Sequence, residues 1–70
     1  MESGFANNRI KELRVEKGLS QRELAKETGI SQANISRWES SLVVPNVDDV
    51  WRLAEFFDCS IDYLVGKEKF

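Results

Sequence analysis

Histidine is absent from the chain and cysteine occurs once, at Cys59. These two gaps exclude a His/Cys metal cluster and an internal disulfide, and they fit a reducing compartment. Cys59 therefore reads as a small buried apolar residue, since no histidine stands ready to activate its thiol. No apolar run approaches the ~20 residues of a membrane span, and the N-terminus lacks the basic and apolar regions of a signal peptide. The expectation is a soluble cytoplasmic protein with no membrane partner. Catalytic signatures are missing as well: there is no cysteine dyad, no phosphate loop and no supported pair of carboxylates, and seventy residues leave little room for a substrate cavity. An enzyme is not expected, and no cofactor or metal is implied.

What is present begins with charge. The formal net charge is −2, yet residues 1–37 hold seven Lys/Arg against five acids, and residues 38–70 hold three against seven. A basic first half and an acidic second half can serve an anionic partner despite the negative total.

Helical spacing supplies the organisation. Ile10, Leu13 and the stem of Lys17 recur at helical intervals until Gly18 and Leu19 stop the pattern. Ser20 with Glu23 three residues later is a capping box that starts a second helix, with Leu24 and Ala25 inward. Gly29 closes it in the left-handed conformation, and Ser31 caps a third helix from Gln32 to about Ser40. Pro45 and Asn46 open a fourth, in which Val47, Val50, Leu53, Ala54 and Phe57 form an apolar stripe. Ser60 caps a last short helix with Ile61 and Leu64 inward and Gly66 past its end. No β-type alternation, repeat or low-complexity segment occurs. The fold class is all-α: one domain of five short helices over residues 8–66, with an N-terminal arm (1–7) and a C-terminal tail (67–70). Trp38 and Trp51 lie on or near apolar stripes and are expected in the core.

The third helix carries the functional signal. At about 100° per residue, Gln32, Ala33, Ser36 and Arg37 share one arc, while Ile35, Trp38 and Glu39 occupy another. Gly29 lets this helix cross the second steeply, and Ala25 is small where the two backbones approach. That is helix-turn-helix geometry, with polar residues of the types that read base edges: Gln pairs with adenine and Arg with guanine.

The linked set Gln21-x-x-Leu24-Ala25-x-x-x-Gly29-Ile30-Ser31-x-x-x-Ile35-Ser36-x-Trp38-Glu39, with Pro45 and SIDYLVG following, resembles the Cro/C1-type helix-turn-helix repressors, also called the xenobiotic response element family. The resemblance runs from Asn8 to Gly66. It implies a compact, lambda-repressor-like five-helix domain that binds double-stranded operator DNA as a symmetric homodimer, with the third helix in the major groove. By the family's pattern Gln21 is a phosphate contact, Gln32, Ala33 and Arg37 face base edges, Asn34 and Ser36 lie beside them, and Ser40 touches phosphate. Each position also has a plainer role: a solvated first-turn residue for Gln21 and Gln32, a helix former for Ala33, a surface ion pair for Arg37. Arg9, Lys11 and Arg22 are either solvated face or further phosphate contacts. Arg14 and Glu39 match a partly buried ion pair of the family, which assigns both to structure.

The chain departs from that pattern after the third helix. Where relatives commonly carry glycine and basic residues it has Ser41-Leu42-Val43-Val44, so a group of phosphate contacts is missing. Leu42, Val43 and Val44 either dock a protein partner or pack in part under their own loop, through Val44. A self-contact is expected instead around the fourth and fifth helices, where Phe56 falls off the main stripe and Val65 and Phe70 stand to be exposed. A helical protein-interaction module or an antitoxin-type partner on the same fold is the alternative to a DNA-binding regulator.

Overall fold

Polar side chains start the helices by accepting hydrogen bonds from backbone amides that have no partner within the helix. The computed structural model describes residues 8–66, so the arm, the tail and Phe70 lie outside the described residues. Helix α1 (Ile10–Glu16) begins where Asn8 Oδ1 accepts from the Ile10 amide at 3.0 Å, and the Arg9 amide donates to the Leu64 carbonyl at 2.8 Å. In α2 (Gln21–Thr28) the capping box is complete: the Glu23 amide donates to Ser20 Oγ at 3.0 Å and the Ser20 amide donates to Glu23 Oε1 at 2.8 Å. That backbone bond, and after it the Ser20 hydroxyl, hold the exposed Glu23 carboxyl below its ordinary value. Ser31 caps α3 (Gln32–Glu39), Asn46 caps α4 (Val47–Phe57) and Ser60 caps α5 (Ile61–Leu64), each side chain accepting from the amide three residues on. Among the described residues there is no strand, and no helix is long and apolar enough to cross a membrane.

Three helices end alike. After α1 the Leu19 amide reaches back to the Arg14 carbonyl and that of Gly18 to Val15; after α3 Leu42 reaches Arg37 and Ser41 reaches Trp38; after α4 Cys59 reaches Ala54 and Asp58 reaches Glu55. This paired closure is the Schellman motif, which needs one left-handed residue at its centre. Gly18 fills the place after α1, but Ser41 (φ 63°) and Asp58 (φ 56°) fill it after α3 and α4. Both accept a backbone that favours glycine.

The core takes at least one side chain from every helix. Ile10, Leu24, Ile35, Leu53 and Leu64 are fully buried, and Ile30, Trp38, Val50, Ala54 and Phe57 nearly so. Leu13, Leu19, Ala25, Phe56, Cys59 and Val65 pack against them from the edge. Cys59 is thus half-buried at the margin rather than inside.

Several sequence expectations are corrected by this packing. Val47 and Ile61, the first residues of α4 and α5, are exposed, because each lies beyond the end of the core that its own helix covers. Trp51 is exposed too: at about 100° per residue it stands roughly 100° from the centre of the arc formed by Val50, Leu53, Ala54 and Phe57. Val44 does not pack under its loop; Leu42, Val43 and Val44 are all exposed, and Pro45 is the buried residue there. Phe56 and Val65 are the reverse case. Phe56 meets Phe57 edge-on at 5.3 Å and lies 5.4 Å from Lys17 Nζ, and both Phe56 and Val65 rest on the core, so neither is the free apolar surface a self-contact requires.

The turn between α2 and α3 depends on Gly29, whose φ is 77° and whose amide donates to the Ala25 carbonyl at 2.8 Å. A Cβ at Gly29 would meet nothing within 4 Å, so substitution costs backbone strain alone. Gly29→Ala should lower unfolding free energy by about 1–2 kcal/mol, and Gly29→Asn by clearly less, since Asn tolerates the left-handed region. Equal losses in denaturant titrations of the two variants would contradict this.

Candidate nucleic-acid interface

The outward arc of α3 is held from below. Ile35 is fully buried and Trp38 nearly so, which turns Gln32, Ala33, Ser36 and Arg37 to the surface, while Asn34 is half-buried beside them. The Asn34 amide donates to Ser31 Oγ at 3.1 Å, and its side-chain oxygen receives a long 3.4 Å contact from Arg37 Nη1. Gln32 and Arg37 have no core to serve and no ion pair among the described residues. Ser40 is less available than its sequence position implies: its hydroxyl donates back into α3, 3.0 Å from the Ser36 carbonyl and 3.1 Å from that of Arg37. With its only hydroxyl hydrogen turned inward, Ser40 must rotate before it can donate to a phosphate.

Beneath the C-terminal end of α3 lies an ionic cluster. Arg14 Nε donates to Glu39 Oε2 at 2.7 Å and Nη2 to Oε1 at 3.2 Å, a two-pronged pair with side-chain exposures of 12% and 5%. The remaining prong, Arg14 Nη1, donates to the Leu19 carbonyl at 2.7 Å. Gln21 Nε2 donates to Glu39 Oε1 at 3.0 Å. One carboxylate, on the last residue of α3, thus binds the last turn of α1 and the first residue of α2. Among the described residues no buried side-chain polar atom lacks a partner, as a buried charge requires.

This changes the reading of Gln21. One of its amide hydrogens is committed to Glu39, which fixes the side chain at the start of α2 and leaves the second hydrogen and the amide oxygen for other partners. Arg9 is also engaged within the chain: its Nη1 donates to the Tyr63 carbonyl at 2.7 Å and its guanidinium lies 4.2 Å from the Tyr63 ring centre, so it ties the start of α1 to α5 with part of its donors. Lys11 and Arg22 are exposed and form no ion pair among the described residues, which leaves both cations available.

Asn8 was not singled out by sequence reasoning. Its Nδ2 donates to the Trp38 carbonyl at 3.0 Å, tying the start of α1 to the end of α3. A polar residue two places before the first apolar position is a capping signal, but nothing local identifies its second partner thirty residues away.

The profile of the Helix-turn-helix family matches residues 10–64. Over 63 residues the chain is 35% identical to the HTH-type transcriptional activator BcrR of Enterococcus faecalis, covering 90% of this chain and 31% of that one. It is 34% identical over 61 residues to the HTH-type transcriptional regulator ImmR of Bacillus subtilis, covering 87% and 48%, and 34% identical over 65 residues to repressor protein C2 of Salmonella phage P22, covering 93% and 30%. The chain therefore spans about a third to a half of the length of these curated relatives. Among solved structures, the P22 c2 repressor in complex with a synthetic operator superposes with a TM-score of 0.80 at 31% identity, over 97% of this chain and 100% of that one.

Since Arg14 and Glu39 are nearly excluded from water, removing one strands the other. Arg14→Ala should lower stability by about 3–5 kcal/mol. Arg14→Lys should recover only part of that loss, because an ammonium cannot span both carboxylate oxygens and the Leu19 carbonyl. Thermal melts test the stability. DNA selection on the folded fraction tests the assignment, and a shifted base preference without loss of stability would overturn it.

Proposed function

From the premise that this chain belongs to the Helix-turn-helix family, we propose that it binds double-stranded DNA in a sequence-dependent manner and regulates transcription, reading the major groove with α3. The observation that carries this reading is the surface arc of Gln32, Ala33, Ser36 and Arg37, built on a helix whose opposite face is buried through Ile35 and Trp38. Gln32 offers an amide able to pair with adenine, Arg37 a guanidinium able to pair with guanine, and Ala33 a methyl group suited to thymine. Asn34 and Ser36 serve as base or backbone contacts beside them. Gln21, held by Glu39 at the start of α2, suits a phosphate oxygen together with the adjoining backbone amides. Lys11 and Arg22 supply sequence-independent attraction.

Repression, by occupying promoter DNA in the cytoplasm, is the output we infer. The relatives include one named as an activator and one named as a repressor, so a promoter reporter in cells decides the sign. A module that only binds protein would show no salt-dependent retention on duplex DNA, and that measurement separates the two readings.

Reading and holding have different signatures in binding data. Gln32→Ala and Arg37→Ala should each cost about 1–3 kcal/mol on a selected site and relax preference at one or two base pairs, with the fold intact. Lys11→Ala should weaken selected and scrambled DNA alike and reduce the salt slope by about one unit. Equal losses on both DNAs for the two α3 variants would falsify base readout by that helix.

One recognition helix spans only a few base pairs, so specificity calls for two copies, with the α3 helices about 34 Å apart on a two-fold symmetric operator. Random-pool selection should return a palindrome whose half-site centres lie about one turn apart, and sedimentation on it should give two chains per duplex. A one-to-one complex on a palindrome would refute the symmetric arrangement.

A further inference from the structure

We propose that Glu39 is a positioning residue for DNA: it holds the Gln21 side chain in one orientation, so that the phosphate contact at the start of α2 keeps a fixed place relative to α3. The proposal rests on the DNA-binding reading above and adds to it the group that sets Gln21. Glu39 is the last residue of α3 and Gln21 the first of α2, and Gln21 Nε2 donates to Glu39 Oε1 at 3.0 Å. The Glu39 side chain is 5% exposed, whereas Gln21 is half-buried and reaches the surface. The bond thus runs from a buried anchor to a group at the molecular boundary.

A purely structural account leaves this bond without a reason. Arg14 already meets both carboxylate oxygens, at 2.7 Å and 3.2 Å, so the ion pair is complete without Gln21. The start of α2 is likewise secured by Ser20 and Glu23. What the bond changes is the freedom of the Gln21 amide. An untethered glutamine turns about several side-chain bonds and presents either its oxygen or its nitrogen outward. A carboxylate has only acceptors, so it takes the NH2 end and excludes the flipped amide, in which two oxygens would face each other. The second Nε2 hydrogen is then the donor left for a phosphate oxygen. Ordering one such side chain on binding costs a factor of roughly two to ten in affinity, and a tether made before DNA arrives removes that cost.

Register is the second consequence. Phosphate contacts fix where a protein sits on the duplex, and base contacts read the sequence beneath. The residue that anchors Gln21 belongs to the same helix as Gln32 and Arg37, so a displacement of α3 carries Gln21 with it and the two kinds of contact stay in step.

Nitrogen-15 relaxation of the side-chain amides in the full seventy-residue chain tests the tether without DNA. The chain has two glutamines, Gln21 and Gln32, and each serves as the control for the other. The expected result is an ordered Gln21 amide and a mobile Gln32 amide. Arg14→Met with Glu39→Leu replaces the ion pair by apolar groups, a change that buried pairs often tolerate, and should free Gln21 to the mobility of Gln32 while helical circular dichroism is kept. On DNA, Gln21→Ala should weaken the parent roughly two- to tenfold on selected and scrambled duplexes alike, with the salt slope unchanged because an amide carries no charge. The apolar pair should lose the same factor with base preference unchanged, and adding Gln21→Ala to it should cost less than about twofold more. Arg14→Met with Glu39→Gln, which keeps a neutral acceptor, should recover order at Gln21 and most of the affinity. A Gln21 amide as mobile as that of Gln32 in the parent overturns the proposal, and this measurement stands whether or not the apolar pair folds. A Gln21→Ala loss equal in the parent and in the apolar pair overturns it as well. If the parent shows no salt-dependent retention on duplex DNA, the DNA-binding reading falls and takes this role with it; if the parent binds and the losses are additive, only the role of Glu39 falls.

Discussion

Burial of the Glu39 carboxylate is the constraint on which the arrangement of α1, α2 and α3 depends. An anion nearly removed from water must be matched by donors, and here they come from Arg14 at the end of α1 and Gln21 at the start of α2. Such a cluster adds little net stability over a well-packed apolar substitute, because desolvation offsets most of the attraction. Its effect lies in geometry. Three helix ends are held against one group with directional bonds, so the far end of α3 cannot shift without stranding a charge. Asn8 strengthens the same corner through the Trp38 carbonyl.

At the other end of α3 the constraint is backbone conformation. Gly29 turns the chain in the left-handed region, Ser31 caps the new helix, and Ile30 is buried between them. The helix is thus fixed at its start by a turn and at its finish by an ionic cluster. Between them Ile35 and Trp38 hold the inner face. The outer face is left free of structural duty, and Gln32, Ala33, Ser36 and Arg37 stand there.

Charge and apolar surface are divided along the chain in a way that suits the proposed function. The cations from Arg9 to Arg37 serve differently: Arg14 the interior, Arg9 α5 and Lys17 the Phe56 ring, while Lys11, Arg22, Lys26 and Arg37 remain outward. α4, α5 and the turn between them carry five acids, Asp48, Asp49, Glu55, Asp58 and Asp62, against one base, Arg52. Between these halves lies the uncharged loop from Ser40 to Val47, closed by Ser41 in a conformation that favours glycine.

Helix starts were legible because a cap is a local event: Ser20, Ser31, Asn46 and Ser60 each bond an amide three residues on, and spacing alone reveals that. Burial was legible where a residue sits in the middle of its helix face, as with Ile35, Leu53 and Leu64. It was misread at Val47 and Ile61, since periodicity says which residues share a face but not where the core ends along the axis, and at Trp51, which lies too far round α4 from the buried arc. The ion pair of Arg14 with Glu39 followed from the family's pattern, not from spacing, because partners twenty-five residues apart meet only after the chain has folded. The attachment of Gln21 to that pair, the withdrawal of Arg9 onto Tyr63 and the inward turn of the Ser40 hydroxyl needed three dimensions for the same reason. Local propensity and helical phase determined the elements and the outward face of α3. Which polar groups those elements left free was decided by long-range contacts, where every buried donor and acceptor had to find its partner.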